Sequence, residues 1–553
     1  MKIDGLIAKV LSKGTKHRIK RYIARKFNIK QLNATYDRWI VENFPDASDL
    51  LLQKQKIETF SYKPLITITL PTYNTLEEHL KECIDSVLSQ SYEHWELVIV
   101  DDASTNSRVR DIIMEYALKE TRIKHKFLPV NLHIAGATNQ AIKIATGEFV
   151  GLFDHDDLLW PNALYEVAAA LNKDKNIDFL YSDQDKIVEQ KHYHAEPFFK
   201  PDWSPSLLRT CNYITHFSVY RRELIKKVGY ERGEYNGAQD WDLLMRATRE
   251  ARKIHHIPKV LYSWRVHDNS TAKTMDSKPY VTEAQKSTIA SDLMARGYNQ
   301  DDFVINQDNK FSAFWRTTYR NIGNPKVSII VLDKKQAHSF PKVTTYRNQE
   351  IIVARNYNNG IKQSTGEYVV LVEPGIRIRS KNWVNVLLDN TIQSRVGLAG
   401  GLTLYANEKY IFSAGVYVDK DDKLAFVLSS GLDLGALNTM TRIIYAKARR
   451  DTSALTGCVM VKKSNLEGFS FDDRQETTHQ LVTLSAELIE KGFYNVYDPA
   501  FVNTIHIKYK PNKKHKRTYG DRPITMLLDK KHYHKFFSQR YFYDDLVSYP
   551  DSD

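Results

Sequence analysis

The stretch EFVGLFDHDD (148–157) joins a short apolar run to a cluster that contains three aspartates. Two further apolar runs of strand length, LITITL (65–70) and ELVIV (96–100), precede it, and a helical pattern follows the first of them up to about residue 90. Strands that alternate with helical segments predict a mostly parallel sheet joined by crossover helices. The sequence therefore predicts an α/β fold for this part of the chain.

Polar residues follow each of these three runs. Tyr73 lies in the turn PTYN (71–74) after the first run, Asp102 ends the second, and Asp154 opens the acidic cluster after the third. In open α/β sheets, ligands bind at the carboxyl ends of the strands. We therefore expect these side chains to converge on one crevice.

The length and composition indicate a multidomain globular protein. The chain has 553 residues, of which 42% are hydrophobic and 26% charged, so three or four ordinary domains or two larger α/β domains are expected. The formal net charge of +13 favours anionic partners: phosphorylated donors, anionic lipid headgroups or nucleic acid. The three cysteines are far apart, which is a poor disulfide framework, and no run reaches the ~18 apolar residues of a membrane span. We expect a cytoplasmic protein.

The two ends of the chain are basic. The first thirty residues carry ten Lys or Arg against the single acid Asp4, with apolar residues at helical spacing. This pattern is typical of a helix on the inner face of the plasma membrane, and equally of a solvated helix packed on the next domain. From about Ile507 basic residues alternate with aromatic ones. We favour a packed C-terminal element there, because no nucleic-acid motif accompanies it, and expect no nucleic-acid partner.

The chain also repeats itself. NQAIKIATGEFVGLFDHDD (139–157) resembles NNGIKQSTGEYVVLVEPGI (358–376), and PLITITLPTYN (64–74) resembles PKVSIIVLDKK (325–335) in the same order. Two such stretches indicate a duplicated domain. The second copy lacks the polar residues, since Glu373, Pro374, Gly375 and Ile376 replace the acidic cluster and Lys334 replaces Tyr73. We predict four regions: a basic helical region at 1–60, an active domain at 61–310, a degenerate copy at 311–506 and a basic aromatic tail at 507–553.

The acidic residues suit the transfer of a group from a diphosphate. Such a transfer needs a cation to neutralise the departing charge and a base to deprotonate the acceptor, and carboxylates serve both needs. Asp154 and Asp156 lie on the same side of an extended backbone, and Asp240 and Asp242 open a helical stretch where the dipole stabilises them. His267 could add a metal ligand.

Each of these residues also has a structural interpretation. An Asp cluster after a strand is often turn chemistry, and Asp240 could be a helix cap. His267 could be a satisfied structural histidine, and Tyr73 could belong to the core. The ordered set is more specific than any one member of it.

That ordered set resembles the family 2 glycosyltransferases with the GT-A fold. The resemblance covers most of residues 30–310 and rests on these segments: YDRWI (36–40), KPLITITLPTYN (63–74), VDDAS (100–104), NLHIAGATNQAI (131–142), GLFDHDDLLWPNAL (151–164), YSDQDKI (181–187), PFFKPDWSPSLLRTCNYITHFSVYRREL (197–224), GAQDWDLLMRA (237–247) and HIPKVLYSWRVHDNSTA (256–272). It is closest to the branch that builds bacterial O-antigen, rhamnan and other cell-wall polysaccharides. The resemblance implies a Rossmann-like GT-A catalytic domain followed by a degenerate GT-A-like domain.

The resemblance also implies residue roles. Asp156 would bind Mn²⁺ or Mg²⁺ at the donor diphosphate, Asp154 would contact the ribose or assist the metal, and His267 would be a metal or diphosphate contact. Asp240 would be the base of a single inverting displacement. The remaining implied contacts are to the nucleotide, by Pro71, Tyr73 and Asp102, and to donor or acceptor, by Asp183, Trp203, Gln239, Trp241 and Asp242.

The sequence departs from the family pattern at two places. The family usually has Glu-Asp where this chain has Gln239-Asp240, so the base is kept while its acidic neighbour is lost. The second copy resembles the family down to TGCVMVKK (456–463) and EKGFYNVYDPAF (490–501), but Gln480 stands in the region of the base. We expect that copy to serve acceptor glycan binding, dimerisation or docking.

The expected function is an inverting, metal-dependent transfer of a sugar from a nucleotide-diphosphate donor to a growing bacterial surface polysaccharide or lipid-linked glycan. The leading donors by resemblance are dTDP-rhamnose and UDP-hexoses. The alternative is a catalytically inactive glycan-binding or scaffold protein, which the intact set in the first copy disfavours. A sugar nucleotidyltransferase would need a Gly-rich loop after the first strand, where PTYNT (71–75) stands instead.

Overall fold

The computed structural model describes residues 36–188, 193–266, 279–309, 311–320, 323–338, 340, 343–418, 425–427, 433–435, 437 and 440–506. These residues form two compact units. The first unit comprises the described residues up to Trp203 together with Tyr213–Gly297, and the second comprises Ser204–Asn212 and the described residues from Tyr298 onward.

The first unit is built on a nine-stranded sheet. Its strands are β1 (Ile66–Thr72), β2 (Trp95–Asp101), β3 (Ile123–Phe127), β4 (Phe149–Leu152), β5 (Leu158–Leu159), β6 (Phe179–Val188), β7 (Tyr193–Phe198), β8 (Ser218–Arg221) and β9 (Ile254–Val266). Their order is β3-β2-β1-β4-β8-β6-β9-β5, and β7 pairs with β6. The three apolar runs of the sequence are confirmed as β1, β2 and β4, which are adjacent.

The sheet is parallel in one half and mixed in the other. Strands β3, β2, β1 and β4 are parallel neighbours, whereas β8 is antiparallel to both β4 and β6. Strand β9 is parallel to β6 and antiparallel to β5. The mostly parallel sheet that the sequence predicts is therefore found only in the first half. Because β8 runs opposite to β4, it begins at the edge where β4 ends.

Helices cover the sheet of the first unit. They are α1 (Tyr36–Asn43), α2 (Ala47–Glu58), α3 (Glu77–Leu88), α4 (Ser107–Lys119), α5 (His133–Ile144), α6 (Ala163–Lys173), α8 (Arg222–Val228), α9 (Gln239–Glu250) and α10 (Pro279–Ala295), while the short α7 (Pro205–Leu208) belongs to the second unit. Leu80, Ile84 and Val87 recur on one face of α3 and are fully buried in the same cluster as Ile66 and Ile68 of β1. Burial of each such side chain contributes about 1.5–3 kcal/mol.

The second unit repeats this architecture. Its strands are β10 (Phe303–Gln307), β11 (Trp315–Tyr319), β12 (Val327–Val331), β13 (Gln349–Val353), β14 (Tyr368–Val372), β15 (Ile376–Ile378), β16 (Val396–Leu404), β17 (Ile411–Ser413), β18 (Val416–Val418), β19 (Ala425–Val427), β20 (Arg450–Thr452), β21 (Cys458–Lys462) and β22 (Tyr494–Ile505). The main sheet has the order β13-β12-β14-β21-β16-β22-β15, with β17 paired to β16. Strand for strand, this is the order of the first unit without β3.

The second unit is shorter than the first between its first two parallel strands and the helix that follows them. Besides α7 its helices are α11 (Lys334–Ala337), α12 (Tyr357–Gln363), α13 (Trp383–Thr391), α14 (Met440–Lys447) and α15 (Thr477–Glu490). Strand β13 leads directly into α12, whereas β2 is followed by α4, β3 and then α5. The segment that carries Asp102 in the first unit is therefore absent from the second.

A buried glutamate organises the sheet edge of the first unit. Glu96 of β2 lies opposite Thr67 of β1 and accepts a hydrogen bond from its hydroxyl group at 2.6 Å. The same carboxylate accepts the backbone N–H and the hydroxyl group of Thr146 at 2.5 and 2.7 Å, and Lys124 contacts it at 2.5 Å. These hydrogen bonds hold the turn between α5 and β4.

The second unit contains the same arrangement. Glu350 lies opposite Ser328 and accepts from its hydroxyl group at 2.6 Å and from the backbone N–H of Thr365 at 2.7 Å. Gly147 and Gly366 occupy the same place, because a Cβ on either would lie 2.7 Å from a backbone atom of the neighbouring strand. This shared detail supports a duplication beyond the common strand order.

The segment Ser204–Asn212 is held in the second unit by a buried carboxylate. Asp451 accepts hydrogen bonds from the Ser204 and Ser206 hydroxyl groups at 2.8 and 2.7 Å, and from the Ser206 backbone at 3.0 Å. Burial raises the pKa of Asp451, and these donors oppose the rise. No feature of the sequence predicts that this segment belongs to the second unit.

Residue 310, the boundary expected from the sequence, falls between strands β10 and β11, which pair with each other over Phe303–Gln307 and Trp315–Tyr319. Both strands belong to the second unit, whose second segment begins at Tyr298. Residues 1–35 and 507–553, and with them the expected basic segments, lie outside the described residues. Within the described part, no helix combines the length and the apolar character that a membrane span requires.

Candidate active site

The carboxyl ends of three adjacent strands bring the predicted residues to one edge. Thr72 at the end of β1 pairs with Asp101 at the end of β2, and the backbone N–H of Phe153 after β4 donates to Thr69 of β1. Tyr73, Asp102 and Asp154 therefore follow neighbouring strands, as the sequence predicts.

Asp102 is buried at this edge. It accepts the backbone N–H of Leu132, just before α5, at 2.7 Å, and its own backbone N–H donates to Thr72. Burial raises the pKa of its carboxyl group, which the Leu132 hydrogen bond opposes. Tyr73 is 46% exposed, whereas Pro71 is buried. Tyr73 is thus a surface residue rather than part of the core.

Asp154, Asp157 and His216 form a group that could hold a metal ion. One ligand atom from each lies within 4.8 Å of the others. The His216 Nε2 atom is 3.6 Å from the Asp154 carboxylate. Asp156 lies between the two acids in sequence, and its charge acts on Asp154, Asp157 and His216.

Strand β9 anchors the acidic loop. Asp157 is fully buried and accepts the Tyr262 hydroxyl group at 2.5 Å and the backbone N–H of Arg265 at 2.7 Å. Arg265 is also buried, and its guanidinium group donates to the backbone oxygen of Asp156 at 2.6 Å and to Glu82 at 2.6 Å. These contacts fix the backbone of the loop that carries the predicted metal ligands.

The group is strongly perturbed electrostatically. Burial, followed by the charge of Asp156, raises the pKa of Asp154 to about 6. Burial lowers the pKa of His216 to about 4, and the negative charge of Asp240 opposes that fall. A neutral imidazole beside clustered carboxylates is the protonation state in which histidine binds metals. A group perturbed in this way is a functional-site candidate.

Lys200 holds the backbone that carries His216. The side chain of Lys200 is buried, and its ammonium group donates to the backbone oxygens of Ser182 and Ile214 at 2.7 and 2.6 Å, and to that of His216. Burial lowers the pKa of Lys200 to about 7. His216 also stacks on Tyr262 with ring centroids 4.7 Å apart. Its position is thus set by contacts on both sides.

Asp240 lies in the first turn of α9, as the sequence predicts, and is half-buried. The first turn of a helix stabilises a carboxylate by up to about 1 kcal/mol. Asp242 in the same turn is buried and bound by the guanidinium groups of Arg232 and Arg246, with the Arg246 contact at 2.7 Å. These two arginines pair with the Asp242 carboxylate, and the predicted donor or acceptor contact of Asp242 stays a prediction.

The remaining predicted residues are mostly buried around this site. The Asp183 carboxylate accepts the backbone N–H of Lys200 at 2.8 Å and contacts the His256 ring at 2.9 Å. Both contacts are with other residues of the fold. The Gln239 side chain accepts the backbone N–H of Gly237 at 2.8 Å. Trp241 is buried and Trp203 half-buried, while His267 lies outside the described residues.

Comparison with known proteins gives the family. Residues 67–229 match the model of Glycosyl transferase family 2. An uncharacterized glycosyltransferase of Rickettsia typhi is 30% identical over 223 residues, which cover 39% of this chain and 68% of that protein. The chain belongs to glycosyl transferase family 2.

Other relatives of this glycosyltransferase are longer than the chain. The O-antigen biosynthesis protein RfbC of Myxococcus xanthus is 30% identical over 425 residues, covering 70% of this chain and 33% of RfbC. The chain spans 52%, 33% and 35% of the lengths of three curated relatives that it matches. Among solved structures, Staphylococcus aureus TarS 1–349 with UDP is 25% identical, with a TM-score of 0.34 over 42% of this chain and 67% of that one.

Sequence reasoning missed His216, Lys200 and Tyr262. His216 precedes β8, whose antiparallel direction brings its start to the edge where β4 ends. A search limited to residues that follow parallel strands cannot find it. Ser218–Arg221 is a short strand-like run, and its pairing with β4 was the missing information.

Proposed function

We propose that this glycosyltransferase uses Mn²⁺ or Mg²⁺ to transfer a sugar, with inversion, from a nucleotide-diphosphate donor to a growing bacterial surface polysaccharide or lipid-linked glycan. The observation that carries the proposal is the group formed by Asp154, Asp157 and His216 at the carboxyl edge of the sheet, in a chain of glycosyl transferase family 2. Asp240 acts electrostatically on the same group.

The donor set fits a divalent cation. Carboxylate oxygens with one imidazole nitrogen suit Mn²⁺, and carboxylates with waters suit Mg²⁺. Asp154, Asp156 and His216 would hold the ion, while Asp157 is engaged by Tyr262 and Arg265. When bound, the cation neutralises charge on the departing diphosphate.

The chain's own residues orient the nucleotide. Asp102 would accept an N–H group of the base, and exposed Tyr73 would stack on the base beside Pro71. The carboxylate of Asp102 is fixed by the backbone of Leu132, which reduces the conformational entropy lost on binding. Asp154 would contact the ribose as well as assist the metal.

Asp240 would act as the general base. It removes the proton of the acceptor hydroxyl group as that oxygen attacks the anomeric carbon. The bond from this carbon to the diphosphate oxygen breaks, and the diphosphate leaves with the electron pair. A single displacement inverts the anomeric centre. Correct positioning of a general base contributes typically 10²–10⁴-fold to such a rate.

The finer assignments rest on the resemblance and on a relative's name. The leading donors are dTDP-rhamnose and UDP-hexoses, and the name of RfbC favours a surface-polysaccharide acceptor. Catalysis at the inner face of the plasma membrane, with residues 1–30 as a peripheral contact, fits their basic pattern. The second unit would bind acceptor glycan, dimerise or dock rather than catalyse.

A thermal-shift panel of nucleotide sugars, each with and without Mn²⁺, tests the proposal. A ligand at a hundred times its dissociation constant stabilises the folded state by about 2.7 kcal/mol. We expect one donor to raise the melting temperature only with metal, and Asp156→Ala to abolish this shift. If well-folded protein shifts with no donor, the scaffold function is favoured instead.

A further inference from the structure

Glu231 is a buried carboxyl group that the proposed reaction does not yet use. It lies between α8 and α9, nine residues before Asp240, and is 6% exposed. Its Oε2 atom is buried and lacks a hydrogen-bond partner among the residues that the structure describes. Burial of an unpaired polar group costs several kcal/mol, so such a group calls for a physical explanation.

The fold does not require a carboxyl group at this place. The side-chain amide of Asn139 in α5 forms two hydrogen bonds with the backbone of Glu231. Its oxygen accepts the Glu231 N–H at 3.0 Å, and its NH₂ group donates to the Glu231 carbonyl oxygen at 2.8 Å. In the second unit Asn358 forms the same pair of hydrogen bonds, at 3.0 and 2.9 Å, with the backbone of Phe471. Phe471 is buried in the apolar core. The first unit therefore carries a buried acid where its copy carries an apolar residue.

The nearby arginines do not neutralise this acid. Arg232 and Arg246 are both engaged with Asp242. Burial raises the pKa of Glu231 well above its usual range, and the negative charges of Asp240 and Asp154 raise it further. The positive charge of Arg246 opposes this rise. A raised pKa favours the neutral carboxyl group, which both donates and accepts a hydrogen bond.

The charged neighbours of Glu231 suggest what it faces. The loop of Glu231 is tethered to α5, which begins just after Leu132, the donor to Asp102. The negative charges of Asp154 and Asp240 act on Glu231. Under the proposed function Asp154 contacts the ribose or metal and Asp240 is the base, so the transferred sugar lies between these two groups. Asn236, in the same loop, has a second buried oxygen, Oδ1, without a partner in the described part of the chain.

We propose that the Glu231 carboxyl group, with the Asn236 amide oxygen, binds hydroxyl groups of the transferred sugar and so contributes to donor selection. This inference rests on the proposed function, because it needs a nucleotide-sugar donor. A site built to hydrogen-bond a substrate hydroxyl group discriminates strongly against an analogue that lacks it, since its polar groups are then left unpaired. Replacement of Glu231 should therefore affect recognition of the sugar and not of the nucleotide.

The test compares two substitutions at this position. Glu231→Gln keeps a hydrogen-bond donor and acceptor, whereas Glu231→Leu removes both at similar volume. Calorimetric titration with Mn²⁺ would compare UDP with UDP-glucose, and dTDP with dTDP-rhamnose, for each protein. We expect Glu231→Leu to weaken binding of the recognised nucleotide sugar at least tenfold and to leave the nucleoside diphosphate unchanged, while Glu231→Gln stays within about threefold of wild type.

The outcomes separate this inference from the proposed function. Equal loss of nucleoside diphosphate and nucleotide sugar in Glu231→Leu would mean general disruption and would overturn the inference. Unchanged sugar binding in Glu231→Leu would overturn it as well, while leaving the proposed function intact. A wild-type protein that binds no nucleotide sugar would overturn the proposed function itself.

Discussion

The acidic edge of the first unit and the matching edge of the second differ in how one carboxylate is used. Asp154 of the first unit faces His216 and Asp157, which leaves several ligand atoms close together. Glu373, at the same place in the second unit, is buried and accepts the backbone N–H of Gly457 at 3.0 Å and the Thr478 hydroxyl group at 2.9 Å. Two sheets with the same strand order can thus use a carboxylate at this place differently. One presents it to a ligand, and the other engages it in hydrogen bonds within the protein.

The neighbouring positions explain this difference. Strand β8 pairs with β4 in the first unit, and β21 pairs with β14 in the second. His216 lies two residues before β8, and Gly457 lies immediately before β21. Glycine lacks the imidazole ligand, and the backbone N–H group of Gly457 donates to Glu373 instead. Fold and chemistry therefore separate in this chain: strand order is shared, whereas the residues at the carboxyl edge are not.

The largest effect is expected from Asp156→Ala. Loss of this carboxylate removes a proposed metal ligand beside Asp154, and we expect transfer to fall below detection, by more than about 10³-fold. The measurement is transfer of labelled sugar in the presence of Mn²⁺. Glu373→Gln, at the corresponding edge of the second unit, is the matched control and should keep the wild-type rate. Residual metal-dependent transfer by Asp156→Ala would contradict a single active site.

Asp240→Asn should lower kcat by about 10²–10⁴-fold, because the amide cannot take the proton of the acceptor hydroxyl group. Donor binding, measured by calorimetry, should remain within a few fold. Thr478 of α15 is the matched position, because Asp240 and Thr478 each lie two residues after the N-cap of their helix. The Thr478 hydroxyl group donates to Glu373 at 2.9 Å. Thr478→Val should leave kcat unchanged. An equal loss in both variants would show that the helix, not the base, was disturbed.

The glutamates shared by the two units should affect stability alike. Hydrogen bonds oppose the cost of burial and lower the pKa of both Glu96 and Glu350 to about 2. A lowered folded-state pKa stabilises the protein above pH 4.5, and this contribution is lost as the pH falls toward 2. We expect Glu96→Gln and Glu350→Gln each to cost about 2–3 kcal/mol of unfolding free energy at pH 7, and much less at pH 3.

Urea unfolding at the two pH values measures this effect. The Glu96 side chain is 5% exposed and that of Glu350 is 25% exposed, so the Glu350 variant should lie at the lower end of the range. A cost that does not change between pH 7 and pH 3 would mean that the ionised carboxylates do not carry the stabilisation.

The smallest effect is expected from the two asparagine tethers. Asn139→Ala and Asn358→Ala each remove two hydrogen bonds to a backbone segment, which costs about 1–2 kcal/mol. The backbone hydrogen bonds are the same in both units, but Asn358 also bonds to the side chains of Asp473 and Ser470, so Asn358→Ala should cost slightly more. Only Asn139→Ala should also weaken nucleotide-sugar binding, since its tether positions Glu231. Equal binding by both variants would argue against that role.

The sequence was sufficient for the parallel half of the fold. Apolar runs that end in polar residues identified β1, β2 and β4, and the strand-end rule placed Tyr73, Asp102 and Asp154 at one edge. Asp240 was correctly placed in a first helical turn. These features are local, or follow from a rule that holds for all parallel sheets.

The antiparallel half could not be predicted in the same way. His216 reaches the acidic group only because β8 runs against β4, and Tyr262 reaches Asp157 only through the pairing of β9 with β5 and β6. Such pairings depend on contacts distant in sequence. The ion pairs of Asp242 with Arg232 and Arg246 likewise could not be predicted from the sequence. Glu231 was overlooked because the feature that singles it out is a buried oxygen without a hydrogen-bond partner among the described residues, which only a three-dimensional structure reveals.

The central claim is that one metal-dependent donor site exists per chain and lies in the first unit. Calorimetric titration of the full chain with its donor nucleotide sugar and Mn²⁺ tests it directly. We predict one donor per chain, no binding without metal, loss of binding in Asp154→Asn and unchanged binding in Glu373→Gln. Two donors per chain, or a site that survives Asp154→Asn and is lost in Glu373→Gln, would contradict the account.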